Sequence, residues 1–427
     1  MTTESLVHPS PASGAAIRGM TPLVVALFFI WGFSTVLIDS LIPKLKALFA
    51  LGYAEVLLTQ FAFFISYFIF SLPAAALLAR IGYLRAIVVG LVVMAAGGLM
   101  FAPAAYLGLY PMFLAALFVM GSGITLLQVA ANPLMANLGD EAGSSSRLTL
   151  AQAFNSLGTT IGPQVGAAVI LGSIQSSPDL ATTAPDILDA FRRTQAHAVQ
   201  APFLGIAAIL IVLASVFWIF RNSRAVPAAE KIQGEISLLA LLKAHPSVSL
   251  GALSIFVYVG SEVTIGSFMT NYLMQPRTLG LAAVDAGRLV SFYWGGAMVG
   301  RFIGSYLLKK ISPGLLLAGC AIAASLLALT SSLSDGWLAA GTIIAIGLAN
   351  SIMFPTIFSL AIAGLGSETP RASGLVCMAI VGGAVIPPLA GLIADHSTLG
   401  TAILLPAVLY LWIAFYGIIS RGRIVSA

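Results

Sequence analysis

The chain has 427 residues, of which 59% are apolar and only 8% charged, and its mean hydropathy is +1.02. A soluble domain of this length cannot enclose so much apolar surface, whereas a bundle of membrane helices turns it toward lipid. The net charge of +5 is small and scattered among loops, which argues against nucleic acid as a partner; the two cysteines, Cys320 and Cys377, fall inside apolar segments, which excludes a disulfide framework and speaks against a cysteine metal site.

In chain order, residues 1–19 have neither a charged n-region nor a signal-type apolar run and read as a cytoplasmic tail. Apolar windows of about 20 residues then fall near 20–47, 54–78, 85–107, 110–137, 147–171 and 199–220. A second set falls near 246–274, 284–308, 312–331, 336–364, 372–394 and 400–420. The expected fold is all-α and membrane-spanning: twelve transmembrane helices in two six-helix halves, 20–221 and 246–427, joined by a polar cytoplasmic linker over 222–245. The loop after the fifth window, 175–198, is equally polar and suits a short surface helix. With the N-terminus inside, fourteen lysines and arginines, from Arg18 to Arg423 and counting Arg301, face the cytoplasm. The six others (Lys44, Lys46, Arg192, Arg193, Arg277, Arg288) face outward, which predicts that both termini are cytoplasmic.

The halves repeat. Pro133 matches Pro355 (355 − 133 = 222) and Pro163 matches Pro387 (387 − 163 = 224), and between each pair come an LGDE or LGSE turn and then Arg147 or Arg371. A parallel repeat of six helices is the mark of a transporter whose halves rock about a midplane site. The same offset sets Asp39 opposite Glu262 (262 − 39 = 223), the two carboxylates deep within apolar windows. An ionised acid there costs roughly 2.5–3.5 kcal/mol even on the lenient insertion scale, so both read as groups that bind a proton or a metal cation for coupling; a structural hydrogen bond or a helix cap is the bland alternative.

The stretch Gly121–Gly166 carries the second signal. Gln128 and Asn132 share one helix face, and Gln152 and Asn155 share a face of the next helix. Amides do not face lipid, and groups that both donate and accept suit a ligand built of hydroxyls. Asn350, in the repeat-mate region, joins them as a candidate. Trp31, Thr35 and Asp39 form one stripe, and Tyr258 and Glu262 another, which helix–helix hydrogen bonding would also explain. The ladders Gly158–Gly162–Gly166 and Gly296–Gly300–Gly304 read as packing seams. No metal cluster or nucleophile–base pair can be assembled from the intramembrane residues, so no enzyme and no cofactor are expected.

The motifs FFIWGF, DSLIPKLK, LQVAANPLMANLG, SSRLTLAQAFNSLGTTIGP, YVGSEVTIGSF, GRFIGSYLL and FPTIFSLAI make the chain, from about Phe28 to Tyr416, resemble the sugar:cation symporters of the major facilitator superfamily, in the branch of L-fucose–proton and glucose/galactose transporters. The resemblance implies hexose uptake by symport, with Asp39 as the coupling acid and Gln152 and Asn155 as sugar-contacting amides. Where the fucose symporter has a helix-4 acid this chain has Gln128, and Phe354 replaces the tyrosine before the helix-10 proline; with Glu262 as its second acid, the chain is similar to the glucose/galactose branch. Trp31 and Phe354 then become candidate apolar faces for the sugar ring. A proton is the expected coupling ion, with sodium as the alternative; N-acetylglucosamine and L-fucose remain alternative substrates, and a facilitator-type efflux pump the alternative of a different class. The expected partners are the sugar and membrane lipid, around a monomer in a bacterial inner membrane.

Overall fold

A computed structural model describes residues 11–39, 53–166, 185–223 and 238–422, and every regular element in it is helical. The first half contributes α1 (Pro11–Asp39), α2 (Tyr53–Ile81), α3 (Tyr83–Leu107), α4 (Tyr110–Asn137), α5 (Ser144–Gly166) and α6 (Pro185–Ile219). After a short α7 (Leu238–Ala244) come α8 (Pro246–Met274), α9 (Ala283–Leu307) and α10 (Pro313–Leu333). The tenth span is split into α11 (Gly336–Asn350) and α12 (Met353–Ile362), the eleventh into α13 (Thr369–Met378) and α14 (Gly382–His396), and α15 (Leu399–Ile419) closes the chain.

Helix is the only local solution for such windows, because lipid offers no partner to a backbone N–H or C=O. Nine stretches among the described residues are long and apolar enough to cross a bilayer. Two of the remaining helices, α5 and α9, carry Asn155 and Arg301 and are less apolar than the qualifying spans. Sharp turns use local chemistry: Gly82, with φ of 82°, is the one-residue hinge between α2 and α3, and Pro246 and Pro313 open their helices at the position where a missing N–H costs nothing. α1 starts at Pro11, ahead of the apolar window, and α6 takes in the second part of the 175–198 loop as its first turns.

The packing repeats as the sequence does. In the first half α3 packs on α4 and α6, α5 on α1, and α2 on α4; in the second half α10 packs on α11 and α15, α14 on α8, and α9 on α11. Between the halves α5 meets α9 and α2 meets α13, two contacts that the repeat exchanges. The glycine ladders pack inside each half. A Cβ on Gly158 would lie 2.3 Å from the Phe29 carbonyl oxygen of α1, and one on Gly304 would lie 2.1 Å from Ile352 Cγ2.

The matched prolines act differently in the two halves. α4 continues through Pro133, whereas the tenth span breaks just ahead of Pro355. Side chains fill that break: Tyr258 Oη donates to the Asn350 carbonyl at 3.2 Å and Arg301 Nε to the Ser351 carbonyl at 3.1 Å. With donors supplied from α8 and α9, the interruption leaves neither carbonyl without a partner.

Candidate functional site

The predicted residues fall along a belt of hydrogen bonds that crosses both halves. On α4, Gln128 donates to the Tyr67 hydroxyl of α2 at 2.6 Å. One turn on, Asn132 is fully buried and accepts from Gln152 of α5 at 3.4 Å, while its Nδ2 finds no partner among the described residues. One amide of each pair, Asn132 and Gln152, therefore meets across the α4–α5 junction, while Gln128 turns to α2; residues that cannot face lipid find partners inside the bundle. Asn155 is half-buried, and its Nδ2 donates to the Phe28 carbonyl of α1 at 2.9 Å. The approach is so close that a Cβ on Gly32 would lie 2.2 Å from the Asn155 carbonyl oxygen. Trp31 is buried beside it, its ring 5.4 Å from Phe28. Thr35 turns back on its own helix, donating to the Trp31 carbonyl.

In the second half Glu262 is half-buried near the middle of α8, and its Oε1 accepts from Tyr258 Oη at 2.8 Å. The same hydroxyl reaches the Asn350 carbonyl, so the predicted Tyr258–Glu262 stripe is a bonded unit tied to the broken tenth span. Asn350 itself is fully enclosed, with its Nδ2 donating to Tyr293 Oη of α9 at 2.9 Å. Phe354 is partly buried and stacks on Phe358 with centroids 6.1 Å apart. Asp39 is the last described residue of α1, and its side chain lies outside the described residues.

Sequence reasoning counted Arg301 among the basic residues of the cytoplasmic side. It lies instead within α9, half-buried, where it donates to the Ser351 carbonyl and to Ser156 Oγ of α5 in the other half. A guanidinium inside a bundle must find acceptors on every side, and this one takes them from both halves. Its position inside the 284–308 window was the available signal; proximity to the window's end misled the reading. Tyr67 and Tyr293 were also missed, because a lone tyrosine in an apolar run has no pattern that separates it from packing.

Below the belt, toward the end that carries Arg80, Arg147 and Arg371, the halves are zipped by small and hydroxylic residues. Ser145 Oγ lies 2.6 Å from Ser359 Oγ, Ser146 donates to the Ser305 carbonyl at 2.6 Å, and Ser373 donates to the Val129 carbonyl at 2.8 Å. Past the belt along α5, five residues beyond Asn155, Thr160 meets Met298 Sδ of α9 at 3.6 Å, so the halves also touch on the far side of the belt. The belt thus lies above a closed seam, and Asn155 and Glu262 are the predicted residues that keep partial exposure on either side of it, together with Phe354.

A sequence profile of the Major Facilitator Superfamily matches residues 23–380. The chain is 48% identical over 421 residues to the glucose/galactose transporter of Brucella abortus, covering 98% of each, and 33% identical over 398 residues to the L-fucose-proton symporter of Escherichia coli, covering 91% of this chain and 90% of that one. The crystal structure of the transporter FucP in the outward conformation superimposes with a TM-score of 0.88 at 30% identity, over 95% of this chain and 99% of that one. With the two-half helical architecture and the interhalf polar belt, these matches establish that the chain belongs to the Major Facilitator Superfamily, as a multi-pass membrane transporter and not an enzyme.

Proposed function

We propose that this protein takes up a hexose of the glucose/galactose type by proton symport, through alternating access. The observation that carries the reading is the belt itself: hydroxyl-matching amides in one half, a carboxylate in the other, and a hydroxyl seam between the halves at the basic end. The names of the relatives support a sugar as substrate, and the replacement of the helix-4 acid by Gln128, with Glu262 as second acid, favours the glucose/galactose class over L-fucose.

In this reading Gln128, Asn132, Gln152 and Asn155 bind the sugar hydroxyls, with Trp31 and Phe354 as apolar faces. Glu262 is held toward the sugar by Tyr258, and Asn350 supports that unit from behind. Asp39 loads the proton, a role that rests on the resemblance. Ion and sugar favour the same conformations, so each raises the affinity for the other by the same factor. The basic end is the cytoplasmic one; leaving Arg301 out of the count keeps the excess of positive charge there, and both termini lie on that side of a bacterial inner membrane. The halves span 20–221 and 246–427 about the 222–245 linker, of which 224–237 lie outside the described residues. The transporter works as a monomer among lipids and needs no cofactor.

Uptake of labelled glucose into proteoliposomes under a proton gradient, a sodium gradient or neither tests this, with galactose, N-acetylglucosamine and L-fucose as competitors. Proton-driven accumulation competed by galactose is expected. Accumulation driven by sodium alone recasts the carboxylates as ion ligands, and a failure of every hexose to compete overturns the sugar reading in favour of an exporter. Asp39→Asn is expected to keep sugar-for-sugar exchange and lose accumulation; full accumulation would remove Asp39 from the coupling role.

A further inference from the structure

A proline inside a helix removes one N–H and leaves without its usual partner the carbonyl four residues earlier. For Pro133 that carbonyl is Val129, and for Pro355 it is Ser351; the two are themselves repeat mates, since 351 − 129 = 222. Both freed carbonyls are used at the boundary between the halves. Val129 accepts from Ser373 of α13, in the opposite half, at 2.8 Å. Ser351 accepts from Arg301, which in turn donates to Ser156 of the opposite half. The Val129 contact is fully buried, and Gly374, next to Ser373, seats α13 so tightly on α2 that a Cβ there would lie 2.7 Å from Ala75 Cβ and 2.9 Å from the Ser71 carbonyl.

We infer that Ser373 is a positioning residue for transport: with the carbonyl freed by Pro133 it forms a latch that holds the basic end of the seam closed. The bond has the chemistry of a latch. While the seam is closed, the Val129 carbonyl is sealed from water and depends on Ser373; once the seam parts, water satisfies both groups. Loss of the serine hydroxyl therefore penalises the closed form alone. The proline makes the acceptor available without a folding penalty that opening would have to restore, and this explains why a helix-distorting residue stands opposite a serine and not opposite lipid.

The test reads seam opening directly and rests on the alternating-access reading above. In a chain with Cys320→Ser and Cys377→Ala, Ser145→Cys places a reporter in the closed seam beside Ser359, and its alkylation rate by a membrane-permeant maleimide in proteoliposomes reports opening. Ser373→Ala is expected to raise that rate by roughly 2- to 10-fold, the range of one neutral hydrogen bond, with Ser373→Thr restoring it. In a Pro133→Ala background, where the new N–H satisfies Val129 inside α4, Ser373→Ala is expected to add less than about 2-fold. A Ser325→Cys control, buried within the second half where Ser325 donates to the Ala407 carbonyl, should not respond, which separates latch release from general loosening. An unchanged rate in Ser373→Ala, or its full effect in the Pro133→Ala background, overturns the latch while leaving alternating access standing. A reporter that is never alkylated in any variant, with or without sugar, overturns both.

Discussion

Tyr258 ties two parts of the site together, because the single proton of its hydroxyl is shared between a carboxylate and the carbonyl at the end of α11. Removing it in Tyr258→Phe leaves Glu262 without its tyrosine donor. Hydrogen bonds to charged groups are worth about 1.5–3 kcal/mol, so a roughly 10- to 100-fold rise in the half-saturation for sugar or coupling ion is expected, read from initial uptake rates. Unchanged constants for both would take Glu262 out of the site. Gln128 makes the complementary case. Its partner Tyr67 is buried, so Gln128→Leu strands a hydroxyl and should lower stability by about 1–3 kcal/mol, read as an earlier thermal melt in detergent. An unshifted melt would mean that the bond is expendable.

At the scale of helices, close approach decides which glycines matter. Gly158 on α5 and Gly382 on α14 are repeat mates (382 − 158 = 224) that seat their helices on α1 and α8. A Cβ at Gly382 would lie 2.0 Å from the Phe256 carbonyl oxygen, as one at Gly158 would lie 2.3 Å from that of Phe29. Backbone cannot move aside as a side chain can, and overpacking of this kind typically costs about 1–3 kcal/mol. Gly158→Ala and Gly382→Ala should each melt earlier in detergent. Gly319→Ala on α10, where nothing lies within 4 Å of the new Cβ, should melt no earlier than the parent. Equal effects at all three positions would refute close approach as the reason for the ladders. The helices themselves were legible from hydropathy, but the break between α11 and α12 was not: Pro133 and Pro355 look alike in sequence, and whether a span bends or breaks depends on donors that arrive from Tyr258 and Arg301.

For the whole molecule, the seam makes the strongest demand. Ser145 and Ser359 face each other with their oxygens 2.6 Å apart, one from each half. In a chain lacking Cys320 and Cys377, the pair Ser145→Cys and Ser359→Cys should oxidise to a cross-link that abolishes net uptake, and reduction should restore it. Wild-type uptake by fully cross-linked protein would show that this end never has to open.

By itself the sequence determined the class, the repeat and the amide pairs, because lipid imposes one rule on every residue it touches: apolar side chains out, and backbone bonded within its own helix. That rule is local, so composition and periodicity carry it. What tertiary structure alone decided is which polar groups meet. The seating of Arg301 between Ser156 and Ser351, the Tyr258–Glu262–Asn350 unit and the grip of Ser373 on Val129 all join residues far apart in the chain. Within a window, Arg301 reads as a charge near a helix end; only the packing of α9 against α5 and α12 gives it acceptors inside the bundle, since interhelical hydrogen bonds depend on how helices pack and not on the order of residues within any one of them.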